Sequence, residues 1–113
     1  MVVQLAATDR LFHALADATR RDIVGRVLAA DRSVTELSER YAMSFAAVQK
    51  HVAVLERAGL VTKRRVGREA RVSGNAATLR YAADLLDRLE QIGRARFAQI
   101  DDLVATLHPG DDP

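Results

Sequence analysis

The spacing of apolar residues changes at Gly59, from a helical pattern before it to an alternating pattern after it. Val48, Val52 and Leu55 recur at intervals of four and three, which places them on one face of a helix. Ser44 is a candidate N-cap for that helix, and Gly59 suits the left-handed residue that ends many helices. A helix followed at once by short strands limits the chain to a mixed, mainly helical architecture.

Helix-start signals also occur at three earlier places. Thr8 can cap a short first helix, and Asp17 can cap a second one. Ser33 and Glu36 have the spacing of a capping box, in which each side chain binds the other residue's backbone N–H, so a short third helix is expected there. The inward residues expected on the first two helices are Leu11, Phe12, Leu15, Ile23, Val24, Val27 and Leu28.

Two short runs after Gly59 are typical of a β-hairpin. Residues 60–65 and 70–72 read as strands, and residues 66–69 between them include Gly67, which favours a turn. The third and fourth helices would then form a helix-turn-helix with a two-stranded wing directly behind it.

No proline or polar break interrupts residues 76–107, so we expect one long amphipathic helix there. Its apolar residues recur every seven positions, with others three positions beyond, a spacing typical of helices that pair along a seam. Gly93 is a place where the helix could bend or another backbone could come close. The stripe comprises Leu79, Ala82, Ala83, Leu86, Leu89, Gly93, Phe97, Ile100, Leu103, Val104 and Leu107, with Arg96 as the exception.

These elements predict a mainly α fold with a small β-hairpin wing, a winged helix-turn-helix whose long last helix is suited to pairing with a second copy. The domain is expected to cover residues 1–107, with a dimerisation helix at about 76–107 and a flexible tail at 108–113. A homodimer would cover the apolar stripe that a monomer leaves exposed. The candidate dimerisation residues are Leu11, Leu79, Leu86, Leu89, Phe97, Ile100, Leu103 and Leu107.

Basic residues are concentrated in the middle of the chain, although the formal net charge is only +2. Residues 44–71 hold seven basic and two acidic side chains, residues 1–43 hold six of each, and residues 72–113 hold four basic and seven acidic ones. A basic segment of this kind is expected where one surface faces a polyanion. A solvated charged face explains the charge alone equally well.

The predicted helix-turn-helix indicates how such a surface would bind DNA. The fourth helix would enter the major groove with its N-terminal residues against base edges. Gln49 can pair with adenine, Ala46 can contact a thymine methyl, and Lys50 can reach guanine or phosphate. Wing arginines would follow the DNA backbone or probe the minor groove. The candidate DNA-binding residues are Ser44, Phe45, Ala46, Gln49, Lys50, His51, Lys63, Arg64, Arg65 and Arg68.

The composition excludes several other classes of protein. Without cysteine, the chain has no disulfide, thiolate metal ligand or cysteine nucleophile. No run approaches the roughly 20 apolar residues of a membrane span, and no secretion signal is recognised, so we expect a cytoplasmic protein. A glycine-rich phosphate loop and an activated Ser/His/Asp arrangement are also missing. We expect no enzymatic activity and no cofactor.

Three motifs in order resemble those of ArsR/SmtB-type transcriptional regulators. Residues 14–24 (ALADATRRDIV) resemble the ALADPTRRxIL opening of that family, and residues 33–37 (SVTEL) resemble its SVxEL helix. Residues 44–61 (SFAAVQKHVAVLERAGLV) are similar to its SxxAVSKHLxVLxxAGLV recognition segment. Together they cover about residues 12–73. The resemblance implies a homodimeric repressor that binds an inverted-repeat operator, with the interface formed by the first and last helices.

Two positions of the recognition segment depart from the family pattern. Gln49 stands where many relatives carry serine, and Phe45 stands where glutamine or arginine is frequent. Both would face DNA, so an operator sequence cannot be transferred from a relative. Phe45 has two interpretations of equal weight, since it either faces DNA or packs against Tyr41 and braces the turn.

Metal sensing, which the family name suggests, is not expected. The third helix lacks the cysteines of one class of sensor, and the last helix lacks the histidines of another. His13 is more simply a solvated or core residue, and His51 a buried or phosphate-contacting one; His108 follows the last helix. The resemblance is closer to the metal-independent members, whose signal is often unidentified, and an unidentified small molecule is the kind of effector considered for this chain. A protein-interaction module on the same scaffold is the alternative function.

Overall fold

The structure, a computed structural model, describes residues 2–107, with side chains from residue 5 onward. The tail predicted at residues 108–113 lies outside the described residues. The chain divides into one compact unit up to Arg80 and a second one from Tyr81. The elements in chain order are α1 (Val2–Leu15), α2 (Ala18–Ala29), β1 (Arg32–Ser33), α3 (Val34–Ser38), α4 (Phe45–Arg57), β2 (Val61–Val66), β3 (Glu69–Gly74) and α5 (Ala76–Leu107).

Local capping interactions begin three of the helices, as the sequence predicts. The Asp17 carboxylate accepts a hydrogen bond from the Arg20 backbone N–H at 3.0 Å and caps α2. Ser33 and Glu36 form the complete capping box of α3, with bonds of 3.0 and 3.1 Å. The Ser44 hydroxyl accepts from the Ala47 N–H at 3.1 Å and caps α4. These bonds satisfy N–H groups that have no partner inside a helix.

The first helix is longer than predicted, so the assignment of Thr8 as its N-cap is wrong. α1 begins at Val2, and Thr8 lies in its interior. The residues before Thr8 include Gln4, Leu5, Ala6 and Ala7, which favour helix, and no proline or glycine interrupts them. A threonine can be a cap or an interior residue, and here the helix continues through it.

The core of the first unit is built from the inward faces of the helices and the sheet. Ile23, Leu37, Leu55, Leu60 and Val72 are fully buried there. The expectation that Leu28 shares the buried face of α2 is wrong, because 39 % of its surface is exposed. Leu28 lies in the last turn of α2, where its side chain borders Gly74 at the end of β3.

The wing is a three-stranded antiparallel sheet with the order β1-β3-β2. The hairpin was predicted, but its turn is shorter than residues 66–69, because Val66 and Glu69 pair with each other. Gly67 adopts a φ of 62° in the remaining turn, a conformation that L side chains rarely adopt. The short β1 was not predicted, and it adds Arg32 and Ser33 opposite Val72 and Arg71.

The start of α5 is tied to the end of α4 through the Gly59 carbonyl. Gly59 has a φ of 76°, which confirms it as the left-handed residue after α4. Its carbonyl accepts hydrogen bonds from the Asn75 side chain at 3.0 Å and the Thr78 hydroxyl at 2.7 Å. Asn75 also caps α5 by accepting from the Ala77 N–H. From this anchor α5 runs without interruption to Leu107, as predicted, and includes Gly93.

Two glycines of the first unit should respond oppositely to alanine. A Cβ at Gly74 would lie 2.7 Å from Leu28 Cδ2 and 3.0 Å from Leu28 Cα, so we expect Gly74→Ala to lower the free energy of unfolding by about 1–3 kcal/mol. A Cβ at Gly25, inside α2, meets nothing within 4 Å. Gly25→Ala should therefore raise the free energy of unfolding by about 0.5–1 kcal/mol, because alanine has a higher helix propensity than glycine. Urea unfolding of both variants measures the difference, and a Gly74→Ala protein as stable as Gly25→Ala would contradict the close approach.

Candidate nucleic-acid interface

The two faces of α4 differ sharply in exposure. Val48, Val52 and Leu55 are completely buried, as predicted, and they fix the helix against the core. Gln49 and Lys50 are exposed on the opposite side. Ser44 and Ala46, at the start of the helix, are also exposed. Together with the exposed Phe45, five of the ten residues assigned to DNA binding thus form a solvent-facing surface at the N-terminal end of α4.

Phe45 is exposed over 46 % of its surface. Tyr41, which the sequence offered as its packing partner, is half-buried against the hydrophobic core together with Met43. Phe45 is not among the side chains packed against that core. This exposure places Phe45 on the outer surface beside Ala46, and both interpretations of its role stay predictions.

A hydrogen-bonded cluster holds the turn between α3 and α4. The Tyr41 hydroxyl donates to Asp22 Oδ2 at 2.5 Å, and the same oxygen accepts from Arg26 Nε at 2.8 Å. Burial and the hydrogen bond to Asp22 raise the pKa of Tyr41 to about 12. The hydrogen bonds from Tyr41 and Arg26 lower the pKa of Asp22. Sequence reasoning missed this cluster, because Asp22 and Tyr41 are 19 residues apart.

His51 occupies the flank of α4 that faces the start of α2. Its Nδ1 lies 3.3 Å from Arg20 Nη1 and 4.0 Å from Asp17 Oδ2. Its side chain is 22 % exposed, so it is neither fully buried nor part of the open surface around Gln49. Position 51 is two residues beyond Gln49, which on a helix turns it well away from that surface.

The basic side chains of the wing divide between two faces of the sheet. Directly paired residues of an antiparallel sheet lie on the same face. Lys63 is paired with the buried Val72, whereas Arg64 is paired with Arg71. Arg65 shares the face of Lys63, and all four candidate wing residues, Lys63, Arg64, Arg65 and Arg68, are exposed. They therefore cannot all contact one flat surface in the same way.

Arg71 is basic but is engaged within the protein. Its guanidinium donates to Glu69 at 3.2 Å and to the Asp31 carbonyl at 3.1 Å, and it lies 3.5 Å from Glu36. Glu36 belongs to the capping box of α3, so Arg71 links the wing to the first helix of the helix-turn-helix. The two acidic partners offset the charge of Arg71, and Arg64 lies directly opposite Arg71 on β2.

Most candidate dimerisation residues lie on the second unit, and there they are exposed. Leu86, Leu89, Phe97, Ile100, Leu103 and Leu107 all present large apolar surface, and Phe97 is 71 % exposed. Ile92 and Val104, also exposed, widen the same stripe. Leu11 and Leu79 differ, because Leu11 is only 3 % exposed and Leu79 packs against the core of the first unit. The Leu11 side chain therefore leaves little surface for a partner, and that of Leu79 is partly covered.

Two further observations concern other kinds of site. Within residues 2–107, no three His, Asp or Glu side chains are grouped so that they could share a metal ion. None of the described helices combines the length and apolar character needed to cross a membrane.

The chain matches the model of a helix-turn-helix domain family over residues 15–64. It is similar in structure to an ArsR-like transcriptional regulator from Rhodococcus sp. RHA1, with a TM-score of 0.82 and 33 % identity over 94 % of this chain and 97 % of that one. HlyU from Vibrio cholerae N16961 matches with a TM-score of 0.62 and 31 % identity over 79 % of this chain and 97 % of HlyU.

The fold is also that of a homodimeric winged helix-turn-helix DNA-binding domain from Mycobacterium bovis, a possible ArsR-family transcriptional regulator. That match has a TM-score of 0.66 and 21 % identity, and it covers 80 % of this chain and 84 % of the other. No match is found among curated protein sequences.

Acid should destabilise the fold through its hydrogen-bonded carboxylates. Folding lowers the pKa of Asp17 and Glu36, mainly through bonds from backbone N–H groups, and that of Asp22, mainly through the bond from Tyr41. A lowered pKa stabilises the fold fully above the unfolded value, 3.8 for Asp and 4.5 for Glu, and this contribution is lost as the pH falls through the folded value.

Asp22→Asn should therefore reduce the loss of thermal stability between neutral pH and the acid range. Tyr41→Phe should reduce it in the same direction, because the tyrosine hydroxyl is the largest cause of the low Asp22 pKa. Thermal unfolding followed by circular dichroism across this pH range is the measurement. If Tyr41→Phe kept the wild-type pH dependence while Asp22→Asn changed it, the hydroxyl would not be the cause.

Proposed function

This chain belongs to the ArsR family of winged helix-turn-helix transcriptional regulators, and we propose that it is a homodimeric repressor of an inverted-repeat operator, its own promoter included. DNA-binding regulators of this family are not enzymes. The observation that carries the proposal is the exposed N-terminal face of α4, which lies within the same compact unit as the basic wing. A surface that binds DNA is sufficient for repression, because a protein that occupies the operator excludes other DNA-binding proteins.

The N-terminal face of α4 is proposed to read base edges. Gln49 is exposed and can make a bidentate pair with adenine, while Ala46 can pack on a thymine methyl. Lys50 lies beside them and reaches guanine or a phosphate. Ser44 caps the helix, and the positive end of the helix dipole there favours a phosphate. Phe45, exposed at the same end, adds an apolar contact that a relative with glutamine would lack.

The wing is proposed to bind the DNA backbone next to the base-reading helix. Arg68 lies in the turn, at the tip of the hairpin, and Arg65 and Lys63 follow along one face of β2. Arg64 lies on the other face, so it is the wing residue that would reach a different phosphate from Arg65. Such contacts are largely independent of sequence and weaken with salt, because each releases counterions from the DNA.

The exposed stripe of α5 is proposed as the main dimerisation surface. The stripe contains eight large apolar side chains on one helix, more than a lone soluble helix usually exposes. The Mycobacterium bovis protein with this fold is homodimeric. Two-fold pairing would cover the stripe of each copy with that of the other. It would also supply two recognition helices, which is the arrangement that an inverted repeat requires.

Signal recognition is proposed to be independent of metal. α3 has no cysteine, and α5 has no histidine between Ala76 and Leu107, so neither helix offers the nitrogen or sulfur ligands that transition metals prefer. A small molecule remains the proposed kind of effector.

Substitutions in α4 should separate base reading from charge. We expect Gln49→Ala to relax base preference, with about 1–3 kcal/mol less discrimination, and to leave the affinity for random DNA nearly unchanged. Lys50→Ala and Arg65→Ala should weaken both kinds of binding and reduce the slope of log K against log salt by about one each. Fluorescence anisotropy with a duplex from the region upstream of the gene, and with a duplex of random sequence, measures both effects.

Arg94→Gln is the matched control for loss of charge, since Arg94 is a solvent-exposed residue of α5 outside α4 and the wing. It should change the salt slope little. Equal losses on both duplexes for Gln49→Ala would contradict its role in base reading. If the wild-type protein bound no upstream fragment better than random DNA at moderate salt, the repressor proposal would be wrong.

A charge placed in the stripe of α5 should separate the two copies. Phe97→Glu should convert the dimer to a monomer and lower operator affinity, because each monomer retains a single recognition helix. Ala98→Glu adds the same charge to the neighbouring, exposed position on the polar side of the helix and should leave the dimer intact. Sedimentation at micromolar concentration measures the state of each variant. A wild-type protein that sediments as a monomer there would overturn the proposed architecture.

A further inference from the structure

Arg20 connects three helices at the edge of the candidate interface. It lies in the first turn of α2, and its Nε donates to the Ala14 carbonyl at 2.8 Å while Nη2 donates to the His13 carbonyl at 3.1 Å. These bonds fix the guanidinium at the end of α1. The remaining nitrogen, Nη1, points to α4 and lies 3.3 Å from His51 Nδ1.

This geometry decides where the His51 ring carries its hydrogen. A guanidinium is always charged and can only donate, so a hydrogen bond at this contact requires Nδ1 to accept, and the ring hydrogen would then be on Nε2. The Asp17 carboxylate would favour the opposite arrangement, but its oxygen is 4.0 Å from Nδ1, beyond hydrogen-bond distance. That same oxygen already accepts from the Arg20 backbone N–H at 3.0 Å. The shorter contact, to Arg20, therefore has the larger influence on which ring nitrogen carries the hydrogen.

Nε2 of His51 is then a donor that the protein itself does not use. No hydrogen bond to this atom is found among residues 2–107, and 22 % of the side chain is exposed. A neutral N–H at the edge of a helix that faces a polyanion suits a phosphate oxygen, which accepts but cannot donate. The positive charge of Arg20 on the other side of the ring polarises that N–H and strengthens the bond.

We infer that Arg20 is a positioning residue for DNA binding, which holds His51 in the Nε2–H form so that this N–H donates to a backbone phosphate. The inference rests on the proposed function, since it requires α4 to lie against DNA. It gives His51 a role separate from that of Gln49 and Lys50. His51 anchors the flank of the helix to the DNA backbone through its ring N–H.

The position of the ring hydrogen can be measured without any DNA. Two-bond ¹H–¹⁵N correlation spectra of the 113-residue chain, recorded at a pH where the ring is neutral, distinguish the Nε2–H and Nδ1–H forms. We expect the Nε2–H form in the wild-type protein and in Arg21→Gln. Arg20→Gln should give a mixture of both forms, and Arg20→Lys, which keeps a charged donor, should restore part of the Nε2–H population.

Arg21→Gln is a close control for the loss of Arg20. Arg21 is the next residue of α2, and it also donates to a carbonyl at the end of α1, that of Leu15, at 2.8 Å. This hydrogen bond leads to α1 and not to His51. A general loosening of α1 would therefore affect both variants, whereas loss of His51 positioning would affect Arg20→Gln alone.

Binding to a duplex of random sequence tests the phosphate contact, because such a contact needs no operator. Glutamine at position 51 can place an N–H near the location of Nε2, whereas asparagine reaches only to that of Nδ1. We expect His51→Asn and Arg20→Gln to weaken binding by about tenfold, and His51→Gln and Arg21→Gln by no more than about twofold. Circular dichroism confirms that each variant is folded.

Several outcomes would overturn the inference. An Nδ1–H form in the wild-type protein would show that Asp17, not Arg20, determines which nitrogen of the His51 ring carries the hydrogen. Equal binding by His51→Asn and His51→Gln would show that Nε2 contacts no phosphate. Neither result depends on whether an Arg20 variant folds. Failure of the wild-type protein to bind any DNA would instead refute the proposed function, while the spectra would still report the Arg20–His51 contact.

Discussion

The burial of one face of α4 is the constraint on which the rest of the interface depends. Val48, Val52 and Leu55 are fully buried, so the helix cannot rotate without exposing them. Burying three such side chains contributes several kcal/mol, roughly 1.5–3 for each. The direction of Gln49 and Lys50 follows from this packing. The exposed face of α4, which is proposed to read DNA, is therefore held in its direction by the buried side chains of the opposite face.

The ends of α4 are fixed by polar contacts that complement this packing. The Tyr41–Asp22–Arg26 cluster holds the turn before the helix, and the Gly59 carbonyl holds its end to the start of α5. These bonds are individually modest, about 1 kcal/mol for a neutral pair and more for a charged one. Their importance is geometric, because they set the direction in which the helix leaves the turn and the residue at which it stops.

The parts of the fold that sequence could predict are those set by near neighbours. The caps at Asp17, Ser33 and Ser44 use bonds to residues three positions away, so each can be recognised in a short window. The long α5 follows from an uninterrupted apolar period. Thr8 shows the limit of this reasoning, because a cap residue and an interior residue look alike when good helix formers lie on both sides.

The sequence predicts the parts of the candidate site that depend on which side chains are exposed, but not the parts that depend on which side chains pair with each other. Burial of the inward stripe identified the open face of α4 correctly. By contrast, Arg71 looks like one more wing arginine until Asp31, 40 residues earlier, and Glu36 are seen beside it. Arg20 and His51 are separated by 31 residues. Such pairs depend on how helices and strands pack against each other, and no short sequence pattern predicts them.

The formal charge of residues 44–71 is therefore larger than the charge that this segment can present to a polyanion. Of its seven basic residues, Arg71 is offset by Glu36 and Glu69 and serves to join the wing to α3. Arg71 also lies directly opposite Arg64 in the sheet. Two like charges in that position would repel each other. Because Glu36 and Glu69 offset the charge of Arg71, they reduce its repulsion of Arg64.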